Sequence, residues 1–311
     1  MSHPASIVVA VGLTGADAAL QYAAREAIRM DAPLQLVHVL QIPATDASAA
    51  GVHHGVIRES DVIVDTAAER ARALTHGRVS VTCERFDQSS PTTGLVKSAD
   101  RACQIVLQHR HLSPGRRFFT SSTVAGVAAR AHVPVVVVPA DWQPVKSPQP
   151  VTAGVQDPLE AAAVLRPAYG EARLRGTGLV ILHSWWLNSG YDVVAVDDDY
   201  RRSRAAEFEH ALLPVLEAMS DEWPDVHATV EVLHAPPAEA LLDRAERSDL
   251  LVIGRRHHRL PLGSHLGPVA RVVLHHSQCP VLVAPEAPVE VSEEASVTHA
   301  VRRRYQPRVM Y

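Results

Sequence analysis

The sequence predicts an α/β protein of two tandem, doubly wound domains, each with a five-stranded, mainly parallel sheet and flanking helices. Three observations support this prediction. The chain has 311 residues, enough for two domains of ordinary size. Landmarks of the first half recur in the second half. Within each half, short Val/Ile/Leu runs, typical of strands buried on both faces, alternate with helical patterns, which indicates right-handed βαβ units.

The repeat spans almost the whole chain. Equivalent landmarks lie between 144 and 146 residues apart: Val11 with Val155, His38 with His183, His111 with His257, and Pro134 with Pro280. Four landmarks at so constant a spacing indicate that one domain occurs twice, in the same orientation along the chain.

The elements of each copy follow in order. The first copy opens with an apolar run at 7–12, a turn between Gly12 and Gly15, and a helix whose apolar side chains recur at helical spacing. That stripe consists of Ala16, Ala19, Leu20, Ala23, Ala24, Ala27 and Ile28. Further strands are predicted at 34–40, 105–107 and 133–139, and their counterparts at 151–156, 179–185, 250–253 and 279–285. We predict that 133–139 and 279–285 pair with each other, within or between chains, because an unpaired apolar edge strand promotes aggregation.

The predicted domain boundaries lie at Pro-rich and polar stretches. The first domain covers 1–140, a linker 141–150, the second domain 151–285 and a C-terminal tail 286–311. The tail is acidic at first, with four glutamates between 286 and 294, and then basic, with Arg302, Arg303, Arg304 and Arg308. By composition this tail is expected to be solvated or to wrap around a domain.

Composition excludes several classes of function. The formal net charge is −4, which gives no reason to expect nucleic acid as a partner. No stretch approaches the roughly 18–20 apolar residues of a membrane span. Three scattered cysteines and no signal-peptide pattern predict a cytoplasmic protein without disulfides. No metal-binding spacing of His and Cys is present, and the carboxylates between Asp192 and Asp199 are interpreted as a solvated loop before a helix at about 203–219.

The segment 254–268 is the candidate phosphate-binding loop. It reads G-R-R-H-H-R-L-P-L-G-S-H-L-G-P and joins a strand to a helix, where glycines allow close backbone approach and the helix start favours an anion. Arg255, Arg256 and Arg259 could add positive charge, or they could be ordinary solvated loop residues. The matching segment 108–122 of the first copy ends in Ser121 and Ser122, either of which could cap the next helix or contact phosphate.

These segments resemble the universal stress protein family. Its ATP-binding members carry G-x2-G-x9-G-(S/T) after the fourth strand and an Asp just after the first strand. The second copy keeps Gly254 and Gly267 but has His257 and Pro268 at the other two positions. The first copy has Gln108, His111 and Ser121 in the three Gly positions and keeps Ser122. The Asp position reads Gly12 and Gln156.

The resemblance implies adenine-nucleotide sites that have degenerated, the second domain being the more plausible binder of ATP. The candidate nucleotide-binding residues are Gly254, Arg255, Arg256, His257, Gly267 and Val155 in the second copy, and Val11, Ser121 and Ser122 in the first. No catalytic residue or metal ligand is assigned.

Two functions are open at this point. The chain is either a non-catalytic stress-response module that binds ATP weakly, or a protein-interaction member with both sites inactive; a slow ATPase activity is not excluded. The resemblance further implies a homodimer formed through the last-strand edges. His38 and His183 are interpreted as hydrogen-bonded packing residues, and Cys279 as a small buried side chain.

Overall fold

A computed structural model describes residues 5–13, 15–40, 50–87, 90–109, 117–187, 196–255 and 266–285. It confirms the α/β fold, with five strands in each half. The strands of the first half are β1 Ser6–Ala10, β2 Leu34–Leu40, β3 Val81–Asp87, β4 Ala102–His109 and β5 Val135–Pro139. Those of the second half are β6 Val151–Gly154, β7 Leu179–Trp185, β8 Ala228–His234, β9 Leu250–Ile253 and β10 Val281–Val283.

Helices connect the strands in both halves. The first half contains α1 Asp17–Met30, α2 Ala50–Thr75, α3 Pro91–Ser98 and α4 Arg117–Arg130. The second contains α5 Ala161–Arg175, α6 Asp198–Glu222, α7 Pro237–Ala245 and α8 Pro268–His276, with a short 3-10 turn Pro158–Glu160 before α5. The predicted linker between β5 and β6 contains neither helix nor strand.

All ten strands form one sheet in the order β3-β2-β1-β4-β5-β10-β9-β6-β7-β8. Pairing inside each half is parallel, whereas β5 and β10 pair antiparallel, with Leu282 opposite Val136. The prediction that 133–139 and 279–285 pair is therefore confirmed, within one chain. Apolar clusters on both faces of the sheet include side chains from both halves, so the two domains share their cores.

This pairing occupies the strand edges through which the homodimer was expected to form, and the homodimer itself stays a prediction. Each last strand lies between two neighbours of its own chain, because β5 is flanked by β4 and β10, and β10 by β5 and β9. Their backbone groups are already paired, so the last-strand edges offer no surface for a second chain in this structure.

The helix stripe of the first copy is buried as predicted. Ala19, Ala23 and Ala27 of α1 are fully buried, and Ile28 at the end of the stripe is partly exposed. Small side chains bring the helix axis close to the sheet, which is how a chain with few aromatic residues fills its core.

Two local predictions were wrong. Asp197 caps α6 by accepting from the Tyr200 N–H at 2.8 Å, and Asp198 and Asp199 lie in the first turn. These three exposed carboxylates thus lie at a helix start rather than in a loop, where an acidic first turn complements the helix dipole, and Asp192 lies outside the described residues. Similarly, α4 begins at Arg117, so Ser121 and Ser122 lie inside the helix and neither is its N-cap.

A buried ion cluster joins the two domains. Arg175 at the end of α5 donates to Glu26 of α1 at 3.0 Å, to the Tyr22 hydroxyl at 2.9 Å, and to Glu171 one turn away. The Arg175 and Glu26 side chains are only 2% and 1% exposed. Burial by itself would lower the pKa of Arg175, but Tyr22, Glu171 and Glu26 together raise it, so the guanidinium stays charged.

None of the described helices has the length and apolar character needed to cross a membrane.

Candidate functional site

A cleft of about 750 Å³ opens at the carboxyl ends of the strands of the second domain. It lies where β6 is flanked by β9 on one side and β7 on the other, so that chain connections leave in opposite directions. Open parallel sheets bind their ligands at such a switch point. The walls come from the ends of β6, β7 and β9 and from the starts of α5, α7 and α8.

Gly254 forms the floor of the cleft at the end of β9, where the backbone passes close to α5. A Cβ atom at this position would lie 2.8 Å from Cγ2 of Val164. A side chain at this position would therefore force Val164 or the strand to shift, and the same lack of a side chain leaves the backbone accessible from the cleft.

The start of α8 provides a second feature of the cleft. Gly267 is the N-cap and Pro268 the first helical residue, which confirms that Pro268 fits the first turn. Gly267 has no side chain to cap the helix. Val269 and Ala270, whose N–H groups belong to the unpaired first turn, both line the cleft. This end of the cleft thus suits an anionic group.

Aromatic side chains form the opposite wall. Trp185 and Trp186, at the end of β7, line the cleft, and both rings contact His234, with centroids 4.3 and 4.9 Å apart. Tyr200 meets Trp185 edge-on at 5.7 Å. Trp186 remains 40% exposed although one face of its ring stacks on His234.

The sequence reasoning missed two carboxylates in this cleft. Asp157 and Glu160 both line it, and Asp157 accepts from the Leu159 N–H at 2.9 Å. Asp157 is one residue beyond Gln156, the position compared with the family Asp, so allowing a shift of one residue would have found it. Both groups oppose the binding of phosphate nearby.

Arg255 lines the same cleft, but its guanidinium also reaches the first domain. Nη2 of Arg255 donates to the backbone oxygen of Ala131, at the end of α4. Part of the hydrogen-bonding capacity predicted for phosphate is therefore used to hold the two domains together.

Val155 and Val11 occupy equivalent places after β6 and β1. Nδ1 of His183 lies 2.9 Å from the Val155 oxygen, and Nδ1 of His38 lies 2.7 Å from the Val11 oxygen. Since a carbonyl oxygen only accepts, each Nδ1 donates, and both histidines are hydrogen-bonded packing residues as predicted. His183 also stacks on Phe208 at 3.8 Å, and burial lowers its pKa.

The first domain fills the corresponding position with its own side chain. Gln108 lies where the second domain has Gly254, and its Oε1 accepts from the Ala18 and Ala19 N–H groups at 2.9 and 3.3 Å. It thereby caps α1, whose N-cap residue Ala16 has no capping side chain. In addition, α4 begins more than one helical turn before the position that the repeat spacing predicts from the start of α8.

Replacing Gln108 by Ala should destabilise the protein by about 0.5–2 kcal/mol, because two amides of the first turn of α1 lose their acceptor. Gln108→Glu is the matched variant: it keeps the acceptor and adds a negative charge at a helix start, so its stability should equal or exceed that of the wild type. Urea unfolding followed by circular dichroism measures both. Equal loss in the two variants would contradict the capping role.

The structure thus brings part of the predicted site together. Gly254, Arg255, Gly267 and Val155 all line one cleft. Arg256 and His257 lie outside the described residues, as do His111 and Arg259, and the side chains of Ser121 and Ser122 are also not among those described. The anion-binding role of the two His- and Arg-containing loops stays a prediction.

A second cavity, of about 620 Å³, lies between the domains beside the ion cluster. Its polar wall includes Glu26 and Arg175, which already bind each other. Cys279 also lines it and is buried as predicted, which raises the pKa of its thiol to about 12. Over the part of the chain that the structure describes, no His, Cys, Asp and Glu side chains form a group of three able to hold a metal ion.

Comparison with known proteins gives consistent matches over both halves. The model of the "Universal stress protein family" matches residues 5–139 and again 148–285. A universal stress protein of Mycolicibacterium smegmatis is 30% identical over 86% of this chain and 92% of its own. The crystal structure of a universal stress protein from Archaeoglobus fulgidus has a TM-score of 0.66 at 16% identity, covering 90% of this chain and 98% of that one. Another structure from that organism, a universal stress protein in complex with dAMP, covers 44% of this chain and 98% of its own, at 22% identity and a TM-score of 0.34.

Proposed function

Because the chain belongs to the universal stress protein family, as a tandem member, we propose that it is a non-catalytic module that binds an adenine nucleotide in its second domain alone. The choice of an adenine nucleotide as the ligand rests on the resemblance to the family. The contrast between the two domains, one with an open cleft and one whose equivalent position is filled by Gln108, supports the choice of domain.

The cleft can accommodate both ends of a nucleotide. Trp186 offers an exposed ring on which a purine can stack, and stacking of one base is worth about 1–3 kcal/mol. At the other end, Gly254 and the start of α8 at Gly267 offer backbone to the phosphates. At the equivalent place in the first domain, Gln108 already occupies the amides at the start of α1.

Weak affinity is part of the proposal. Asp157 and Glu160 repel phosphate, while Arg255, the sole Lys or Arg among the described residues that line the cleft, also donates to Ala131. We therefore expect a dissociation constant for ATP above about 10 µM, less favourable than about −7 kcal/mol.

The non-catalytic role rests on the chemistry of the cleft. His183, the histidine next to its walls, donates from Nδ1 to Val155 and stacks on Phe208, and its lowered pKa reflects burial. Asp157 is engaged as a helix cap. Both side chains are therefore engaged in structural contacts, which supports the non-catalytic role.

The same carboxylates favour a second candidate function. If Asp157 and Glu160 exclude nucleotide completely, the chain is a protein-interaction member of the family with both sites inactive. The two candidates differ in nucleotide affinity, and one titration separates them.

Calorimetric titration of ATP into nucleotide-stripped protein should give about one site per chain. Trp186→Ala should weaken binding about 5- to 150-fold, the loss expected for one stacked base. Leu213→Ala, which removes an exposed apolar side chain of α6 outside the cleft, is the control and should bind as the wild type does. No heat and no co-purified nucleotide would support the interaction protein instead, and sustained phosphate release over many turnovers would contradict the non-catalytic role.

A further inference from the structure

We propose that the cavity between the two domains binds a small aliphatic diamine, whose two ammonium groups donate to the buried carboxylate oxygens of Glu26 and Asp249. The alkyl chain of the ligand packs against Trp142. This cavity lies beside the starts of β9 and β10, whereas the nucleotide cleft lies at the carboxyl ends of the strands of the second domain. The proposal therefore concerns a separate site and does not depend on nucleotide binding.

The cavity has the size and the position of a ligand site. Its volume of about 620 Å³ lies within the range of roughly 300–1,000 Å³ that is typical of small-molecule pockets. Both domains contribute to its walls: Glu26 belongs to α1, Trp142 to the linker, and Asp249 to the segment between α7 and β9. Ligand pockets occur preferentially at such domain interfaces.

Glu26 provides the first acceptor for the ligand. Its side chain is 1% exposed, and the two arginines that pair with it, Arg29 and Arg175, both donate to the same oxygen, Oε1. The other oxygen, Oε2, is buried and has no hydrogen-bond partner among the described residues. Because a buried acceptor without a donor is unfavourable, a donor from outside the chain would stabilise this carboxylate.

Asp249 provides the second acceptor, on the wall that the other domain contributes. Its Oδ1 is also buried and has no hydrogen-bond partner in the part of the chain that the structure describes. Two hydroxyl groups line the same cavity, but Ser248 donates to the carbonyl oxygen of Arg244 and Ser277 to that of Cys279, both at 2.8 Å. Acceptors on two walls therefore favour a ligand that has a donor at each end.

The charge of the walls favours a cation over an anion. Among the described residues that line the cavity, carboxylates outnumber guanidinium groups: Glu26, Asp141, Glu246 and Asp249 against Arg25, Arg29 and Arg175. Arg29 and Arg175 already bind Glu26, and Arg25 is exposed. A positively charged ligand thus complements the buried part of the cavity.

Trp142 gives the cavity an aromatic surface. It is half-buried in the linker, and its ring meets the ring of Tyr22 edge-on at 5.7 Å. Indole rings attract ammonium groups and also pack against methylene groups. This surface therefore favours an alkylamine over a metal ion, which has no apolar part.

Calorimetric titration of 1,4-diaminobutane into the nucleotide-free, full-length chain at constant ionic strength tests the site. We expect about one site per chain and a dissociation constant below about 1 mM. n-Butylamine, which has a single ammonium group, should bind at least about tenfold more weakly, because it leaves one carboxylate without a donor. The neutral 1,4-butanediol, of similar length, should give no heat.

Three results would overturn the proposal. No heat up to about 10 mM diamine would show that water alone satisfies the two oxygens. Equal affinities for diamine and diol would show that charge plays no part. Equal affinities for diamine and monoamine would show that the ligand does not bridge Glu26 and Asp249.

Matched variants locate the site. Asp249→Asn should weaken diamine binding about tenfold or more, the effect of losing one hydrogen bond to a charged group. Asp243→Asn is the control, because this carboxylate of α7 lies outside the cavity and is 68% exposed, and its affinity should stay within about twofold of the wild type. Trp142→Leu keeps an apolar side chain but removes the ring, and should weaken binding about two- to fivefold.

Equal affinities of Asp249→Asn and Asp243→Asn would place the diamine elsewhere on the protein and contradict the proposal. Urea unfolding of each variant confirms that it is folded before it is titrated. Because ATP is titrated separately and at the opposite edge of the sheet of the second domain, a failure to bind diamine is distinct from a failure to bind nucleotide.

Discussion

Arg175→Met should lower the free energy of unfolding by about 3–5 kcal/mol, the cost typical of removing one partner of a buried ion pair. The guanidinium of Arg175 contacts Glu26 and Glu171 in a site where the arginine side chain is 2% exposed. Methionine fills much of the same volume but leaves the buried carboxylate of Glu171 without its ion-pair partner and that of Glu26 with Arg29 alone. Since Glu26 belongs to α1 and Arg175 to α5, the loss weakens the contact between the domains.

Arg166→Met on the same helix is the matched control. Arg166 pairs with Glu222 at the surface, where the two side chains are 57% and 43% exposed, so its loss should cost no more than about 1 kcal/mol. Urea unfolding followed by tryptophan fluorescence compares the two variants. Equal effects would show that the buried cluster contributes nothing beyond an ordinary surface pair.

The deficit of Arg175→Met should also depend on pH. Burial raises the pKa of Glu171 even with Arg175 present, and removing the cation raises it further. A carboxyl whose pKa is raised on folding binds its proton more tightly in the folded state, so stability falls as pH rises above roughly 4. The variant should therefore lose stability more steeply than the wild type between about pH 4 and 7. Parallel curves would contradict this assignment.

Gly267→Asp should weaken ATP binding by tenfold or more, about 1.4 kcal/mol or greater. The backbone at Gly267 is extended, with φ −68° and ψ 168°, a conformation that any residue adopts. An Asp at this N-cap would bind the first-turn N–H groups of α8 and place a negative charge where the proposal puts phosphate.

Gly267→Asn separates charge from capping. Asparagine has the same shape and caps helices equally well, but it is neutral. Both variants should be at least as stable as the wild type, while Asn should retain affinity within about threefold, less than 1 kcal/mol. If Asp and Asn reduce affinity equally, steric filling explains the loss, and if neither does, the phosphates do not lie at the start of α8.

The elements that the sequence predicted well are those set by local pattern. Apolar runs such as Val135–Val138 became strands, and the alanine stripe of α1 became a buried helix face, because periodicity depends only on near neighbours. Helix starts were predicted less accurately: Asp198 and Arg117 begin helices several residues before the predicted positions. Polar residues there fit a helix start and a loop equally well by composition.

The candidate site was predicted in outline only. The repeat placed Gly254 and Gly267 at the same sheet edge, and both line the cleft. The side chains that distinguish the two domains were not predictable in this way. Gln108 was interpreted as a lost glycine, whereas it caps a helix 90 residues earlier in the chain. Arg255 was assigned to phosphate, whereas it also donates to Ala131 in the other domain.

Hydrophobic periodicity and repeat spacing thus predicted a duplicated α/β domain of one family, because both are properties of the chain that persist even where binding residues have changed. Three features came only from the folded structure: the last strands pair within the chain, Arg175 contacts the first domain, and Gln108 caps α1 at the position equivalent to Gly254. The contacts of Arg175 and Gln108 join residues that lie 90 to 150 positions apart in the sequence. The free energy of burying each polar side chain depends on such distant partners, which no local pattern specifies.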